Sequence, residues 1–199
     1  RIEGVGVDAA RVGTVVFGKG RLRDRDEAEV RGYQQALKLI PEGGSKLTVD
    51  DKLIKRLHAL CRADSHDAGA YKEKDGEIIE KHPDGRVSVR FRPVPAAETP
   101  AAMRELNELW KRSEIEKWVH PLVAVAGYNL DFLCIHPFRD GNGRVSRLLL
   151  LLQLYHAGFE VGRYISIERI IEDNKERYYE TLKQSSRAGM KANTVRGPT

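Results

Sequence analysis

His136-Pro137-Phe138-Arg139-Asp140-Gly141-Asn142-Gly143-Arg144-Val145-Ser146-Arg147, residues 136–147, is a polar, glycine-bearing run set between two very apolar stretches, Pro121 to Ile135 (PLVAVAGYNLDFLCI) and Leu148 to Tyr155 (LLLLLQLY). Such stretches predict helices over His120 to Ile135 and Val145 to Ala157, each covered round most of its circumference and together forming the centre of the domain. Polarity between two buried helices needs a chemical reason. Proline disfavours helix at the residue before it, so the first helix should stop near His136 and leave its imidazole at the end of a rigid element. Gly141 and Gly143 permit positive φ and carry no side chains, which lets successive N–H groups converge on an anion where the second helix and its dipole begin. Arg144 and Arg147, three apart in that first turn, both reach such an anion, and guanidinium geometry suits phosphate oxygens. Asp140 belongs beside an anion only if a divalent metal lies between them, and one or two carboxylates plus phosphates is the usual Mg2+ arrangement. Phe138 reads as an apolar pin holding the loop in the core. Read from residues alone, the run also fits a plain turn joining two helices.

Outward from this loop the chain is mostly helical. Asp24 to Ile40 has an acid-rich first turn and a stripe of Val30, Tyr33, Ala36, Leu37 and Ile40, which predicts an amphipathic helix. Thr48 or Asp50 can cap the next one, whose apolar face is Leu53, Ile54, Leu57, Leu60 and Cys61. Between Glu77 and Phe91 the pattern changes: Ile78 and Ile79 precede a Pro83-Asp84-Gly85 turn, and Val87, Val89 and Phe91 alternate after it, predicting a short β-hairpin. Further helices are expected over Ala101 to Trp110, Ile167 to Ile171 and Glu172 to Ser185, and Trp110, Trp118, Tyr33 and Phe132 are expected in the core. Residues 187–199, with Gly189, Gly197 and Pro198, read as an irregular tail after one domain over 1–186.

Composition limits the classes available. With 199 residues, 41% hydrophobic and 32% charged, the chain suits a single soluble domain, and its longest apolar run falls short of the roughly 20 residues of a membrane crossing. No membrane partner is expected. The net charge of +5 invites a nucleic-acid reading, but Arg187, Lys191 and Arg196 of the tail supply +3 of it and elsewhere acids and bases alternate, so nucleic acid is not the expected partner. Cys61 and Cys134 read as small hydrophobes, which points to a reducing, cytoplasmic setting. The chain opens on Arg1 with no charged-then-apolar leader and reads as a fragment.

The run HPFRDGNGRVSR resembles the signature of the Fic (filamentation induced by cAMP) family, H-x-F-x-D/E-G-N-G-R-x-x-R, at every fixed position. The resemblance implies an all-α Fic fold, a helical bundle with a small hairpin flap over 77–91 and the active-site loop and helix start over 136–147. It also implies the activity, AMPylation: transfer of AMP from ATP to a Ser, Thr or Tyr hydroxyl of a protein that docks on the flap. His136 would be the general base. Asp140 would hold Mg2+ (or Mn2+), Gly141, Asn142 and Gly143 would bind phosphate oxygens, and Arg144 and Arg147 would steady the outer phosphates. Tyr178, Tyr179 and Leu182 resemble the group that lines the family's adenine pocket. Gly143 favours AMP transfer over the phosphorylation of the related Doc kinases, which carry lysine there. Tyr128 and Asn129 depart from a histidine of many relatives, and Ser186 from an asparagine.

Ile2-Glu3-Gly4 resembles the end of an inhibitory motif, S/T-x-x-x-E-G, carried by Fic proteins with an N-terminal regulatory helix, here placed within residues 1–20. Its serine or threonine would precede Arg1. Glu3 would pair with Arg147 and occupy the γ-phosphate site, giving autoinhibition. Two other activities stay open: the same pocket removing AMP from a modified protein, and a metal-dependent nuclease, which would need a hairpin directly before the metal helix. A homodimer is compatible with either. Elsewhere, His58, His66, His82, His120 and His156 lack zinc spacing and read as surface or capping residues, Gly18-Lys19-Gly20 is not a Walker A loop, and no G-x-S-x-G occurs.

Overall fold

The computed structural model describes residues 5–18, 20–63, 65–81, 84–160 and 165–195. After a 3-10 turn at Ala9–Arg11 come α1 (Val12–Phe17), α2 (Arg25–Gly43), α3 (Asp51–Cys61), the hairpin strands β1 (Ile78–Lys81) and β2 (Val87–Phe91), α4 (Thr99–Glu116), α5 (Pro121–Ile135), α6 (Asn142–His156), α7 (Ile167–Asp173) and α8 (Lys175–Val195). The fold is all-α with one small antiparallel hairpin, as the sequence predicts. Among the described residues no helix is long and apolar enough to cross a membrane.

Local chemistry sets the helix starts. Asp24 and Asp50 cap α2 and α3, their carboxylates accepting from Glu27 N at 2.9 Å and Leu53 N at 2.8 Å. His120 caps α5 through Nδ1, with Pro121 in its first turn. α6 is the central helix, packed on α5, α3 and α2 with Val145, Leu148, Leu149 and Leu152 fully buried. Tyr33 and Ile40 of α2, Ile54 and Leu57 of α3, Met103 and Trp110 of α4 and Phe132 of α5 close round it.

The first helical segment is clasped to α2. Arg11 makes two 2.7 Å bonds to Glu27, holding that carboxylate down at about 2, and the Arg31 guanidinium donates to the carbonyls of Thr14, Val15, Gly18 and Gly20. On the far side of α2, the Tyr33 hydroxyl donates to Glu168 at 2.5 Å and so ties in α7.

Four expectations are corrected. Trp118 is 61% exposed, because α4 ends at Glu116 with Lys117 in the left-handed region and the chain leaves the bundle there. α5 is not covered all round, since Leu122 and Val123 of its first turn face outward. α4 runs from Thr99 to Glu116, starting just before Ala101 with Pro100 in its first turn and continuing well past Trp110. Nor is the backbone over 187–195 irregular: α8 continues to Val195, with Gly189 tolerated inside the helix.

α2 and α3 cross so closely that a Cβ on Gly32 would lie 1.8 Å from Leu60 O, a backbone atom that cannot step aside. In an open helix Gly→Ala gains about 1 kcal/mol of propensity. Here Gly32→Ala should lose about 1–3 kcal/mol instead, because the crossing must widen. The urea midpoint checks this, and a midpoint at or above the parent's would contradict the close crossing.

Candidate functional site

α5 stops where Pro137 requires. His136 takes the left-handed conformation (φ 50, ψ 60) and its N–H donates to Phe132 O at 2.9 Å, closing the last turn. Phe138 then turns fully inward, its ring stacked on His58 at 3.8 Å and 4°, with Tyr71 and Phe132 tilted against it. The Asn142 side chain staples the loop shut: Oδ1 accepts from Phe138 N at 2.9 Å and Nδ2 donates to Phe138 O at 2.7 Å. Each of its polar atoms makes one bond there, and Nδ2 keeps a second N–H beside the backbone amide.

Gly141 caps α6 in the left-handed region at φ 83, and a Cβ there would press on Arg62 Cδ at 3.2 Å. The positive φ calls for glycine, and the close approach adds that Arg62 would have to give way by a few tenths of an ångström. Gly143, by contrast, lies in the first turn of α6 with helical backbone, so its lack of a side chain, not a positive φ, is what opens the helix end. The N–H groups of that first turn have no partners within the helix and carry its positive dipole end.

Beneath the loop lies a buried charge cluster. Glu29 of α2 accepts from Arg25 Nε at 2.7 Å and Arg62 at 2.8 Å on one oxygen, and from Arg144 at 2.7 Å on the other. The same Arg62 nitrogen donates to Asp140 Oδ2 at 2.6 Å, while Asp140 Oδ1 accepts from Gly141 N at 2.6 Å. This separates the two signature arginines. Arg144 turns into the protein, donating also to Cys61 O at 3.0 Å, because the first turn of α6 abuts α2 and α3. Arg147, one turn on and also buried, lies near the Tyr33 hydroxyl, whose ionisation burial and Glu168 oppose and the Arg147 charge favours.

Asp140 itself is 56% exposed at the carboxylate. Among the described residues no three His, Cys, Asp or Glu side chains gather to hold a metal by themselves. One half-open carboxylate beside a helix N-terminus fits Mg2+ that arrives with phosphates, and does not fit a cation held by protein ligands alone.

His136 opens on a cleft of about 630 Å3, whose other walls include His66, Tyr71, Lys72, Glu77 and Arg139. Lys72 laces that wall to the loop, its N–H donating to Pro137 O at 2.8 Å and its ammonium to Ile135 O at 2.9 Å. Burial lowers the Lys72 pKa. Tyr178, Tyr179 and Leu182 lie on α8, which packs on α5, and Arg90 of the hairpin donates to Tyr179 O at 2.9 Å with its guanidinium 5.8 Å from the Tyr179 ring. The departure at Asn129 has a local use: Nδ2 donates to Ser146 O and Oγ, bracing α5 on α6, while Tyr128 donates to Asn107 of α4. Glu3 lies outside the described residues, as does the Pro83 position of the hairpin turn.

Glu29 and Arg62 escape the sequence reading, and His58, expected as a surface or capping residue, is instead fully buried against Phe138. Glu29 stands in line with Tyr33, Ala36 and Ile40 on the buried side of α2, and His58 with Ile54 and Cys61 on that of α3. A charged residue on an apolar stripe was the available signal.

The family model described as Fic/DOC family matches residues 48–154. A protein of Nematostella vectensis named protein adenylyltransferase Fic is 28% identical over 164 residues, 79% of this chain and 34% of that protein. One of the same name from Drosophila willistoni is 32% identical over 136 residues, 66% of this chain and 25% of that protein. The chain therefore spans about a third or less of these curated relatives. Among solved structures, a Fic family protein from Desulfovibrio desulfuricans G20 has a TM-score of 0.72 at 26% identity, over 92% of this chain and 53% of that one. A Fic domain containing signaling protein from Bacteroides thetaiotaomicron VPI-5482 has a TM-score of 0.74 at 24% identity, over 92% and 66%, and bears on the fold alone.

Glu29→Gln should cost about 3–5 kcal/mol, since it removes the one negative charge that buried Arg62 and Arg144 share. Chemical denaturation measures this, and a loss below about 1 kcal/mol, the level of an exposed pair, would contradict the cluster's structural weight.

Proposed function

Because this chain belongs to the Fic/DOC family, we propose that it is a protein adenylyltransferase, moving AMP from ATP to a Ser, Thr or Tyr hydroxyl of a protein and held in check by Glu3. The observation that carries the reading is that His136, at the rigid end of α5 and open to a cleft, stands one short loop before the helix N-terminus that Gly141 caps and Asn142 and Gly143 begin. A base and an anion site side by side are what attack of a hydroxyl on a phosphoryl group needs.

His136 takes the proton of the incoming hydroxyl as its oxygen bonds to the α-phosphorus and the bond to the β-phosphate breaks, releasing pyrophosphate. The first amides of α6 meet the charge that grows on the phosphate oxygens. Asp140 would hold Mg2+ that arrives with the nucleotide, a cation that would supply charge neutralisation at the phosphates. Arg147 steadies the outer phosphates. Arg144, spent on Glu29, has no part in that contact in this reading. Tyr178, Tyr179 and Leu182 receive the adenine. The hairpin receives the target: Ile79, Val87 and Val89 are exposed on it with no core beneath, as suits strand addition by an extended segment that brings its hydroxyl to His136. A nuclease reading loses its premise, since α5 and not a hairpin leads into the loop.

His136→Ala should lower AMP transfer by about a hundredfold or more while ATP binding stays near the parent's, because the base acts on the hydroxyl and not on the nucleotide. Label on the α-phosphate should reach protein and label on the γ-phosphate should not. Transfer of γ-label would make the protein a kinase.

Glu3→Gly should raise self-modification or target labelling about tenfold or more, equivalent to ~1.4 kcal/mol returned to nucleotide positioning. Adding Arg147→Ala should cancel that gain if both residues act on one phosphate. Equal labelling by the parent and Glu3→Gly would remove Glu3 as an inhibitor.

A further inference from the structure

His58 is fully buried with both ring nitrogens engaged. Gly69 N donates to Nδ1 at 2.9 Å, so Nδ1 carries no proton, and Nε2 must then be the N–H that donates to Asp140 O at 3.0 Å. The tautomer is thus fixed by a backbone donor, and the face of the same ring lies flat on Phe138. One turn on, at the C-cap of α3, Arg62 holds the Asp140 carboxylate at 2.6 Å. Asp140 is therefore gripped at its carbonyl and at its carboxylate by residues four apart at the end of α3, with its open side toward solvent.

We propose that His58 is a positioning residue for Asp140. Resting on the reading of Asp140 as the carboxylate that meets nucleotide-borne Mg2+, the inference is that the His58 Nε2–H···O bond fixes where that carboxylate points before the cation arrives. Partners of this kind, one bond removed from the ligand, orient it and raise its effective affinity. His58 touches neither nucleotide nor cation. Its effect should appear in the Mg2+ dependence of ATP binding and leave binding without Mg2+ alone.

The test is equilibrium dialysis of α-labelled ATP against the folded chain over a series of free Mg2+ concentrations, with thermal midpoints measured in parallel. His58→Phe keeps a ring to lie on Phe138 and loses both hydrogen bonds; the Mg2+ half-saturation should rise about tenfold. His58→Gln places an N–H near the Nε2 position and should return the half-saturation to within about threefold of the parent's. Should His58→Phe fail to fold, His58→Asn, whose shorter amide cannot reach Asp140 O, carries the same expectation. Leu106→Ala in α4 serves as the stability control, expected to lower the midpoint with the Mg2+ dependence unchanged. Equal half-saturation in the parent, His58→Phe or His58→Asn, and His58→Gln would overturn the positioning role. A parent whose ATP binding ignores Mg2+ altogether would overturn the reading of Asp140 first, and the inference with it.

Discussion

One buried carboxylate organises the functional end of this molecule. Glu29 sits where α2, α3 and α6 converge, and its two oxygens take bonds from Arg25, Arg62 and Arg144. Burying that charge is costly, and the two buried arginines that offset the cost are each held by a second partner: Arg144 by Cys61 O, Arg62 by Asp140. The cluster couples the start of α6 to the loop before it. This network, with the Asn142 staple and the Phe138 pin, fixes the loop, as the proposed presentation of backbone amides to an anion requires.

The arrangement divides labour between neighbours in sequence. Arg144 and Arg147 are one helical turn apart, yet the first is structural and the second lies toward Tyr33 and α7. Asn142 and Asp140 differ similarly, one closed in on Phe138 and the other half open. A signature of this density is therefore only partly a list of groups that meet a ligand. Much of it builds the surface on which the rest can act.

Periodicity and turn chemistry made most of the fold legible. The acid-rich start of α2, the Asp50 cap, the Pro137 stop and the hairpin follow from residue types whose preferences act within a few positions. Trp118 did not, because spacing shows a helix face but not where the chain leaves the bundle. At the site, the loop and its glycine at 141 were readable, whereas Glu29, His58 and Arg62 are far from it in sequence and meet it only through the α2–α3 crossing at Gly32. Long-range polar contacts of this kind leave no local pattern, only a charged or imidazole side chain where an aliphatic one was due.

The account stands on a preformed anion site at the start of α6. Amide 15N chemical shifts of the loop test it directly, recorded with and without Mg2+ and ATP. Without nucleotide, Gly141, Asn142 and Gly143 should each give one sharp resonance, as a locked loop requires. With Mg·ATP these three and His136 should shift most, while Gly13 in α1 stays in place. Broad or multiple apo resonances for the three, or ATP shifts gathered elsewhere with the loop unmoved, would contradict the account.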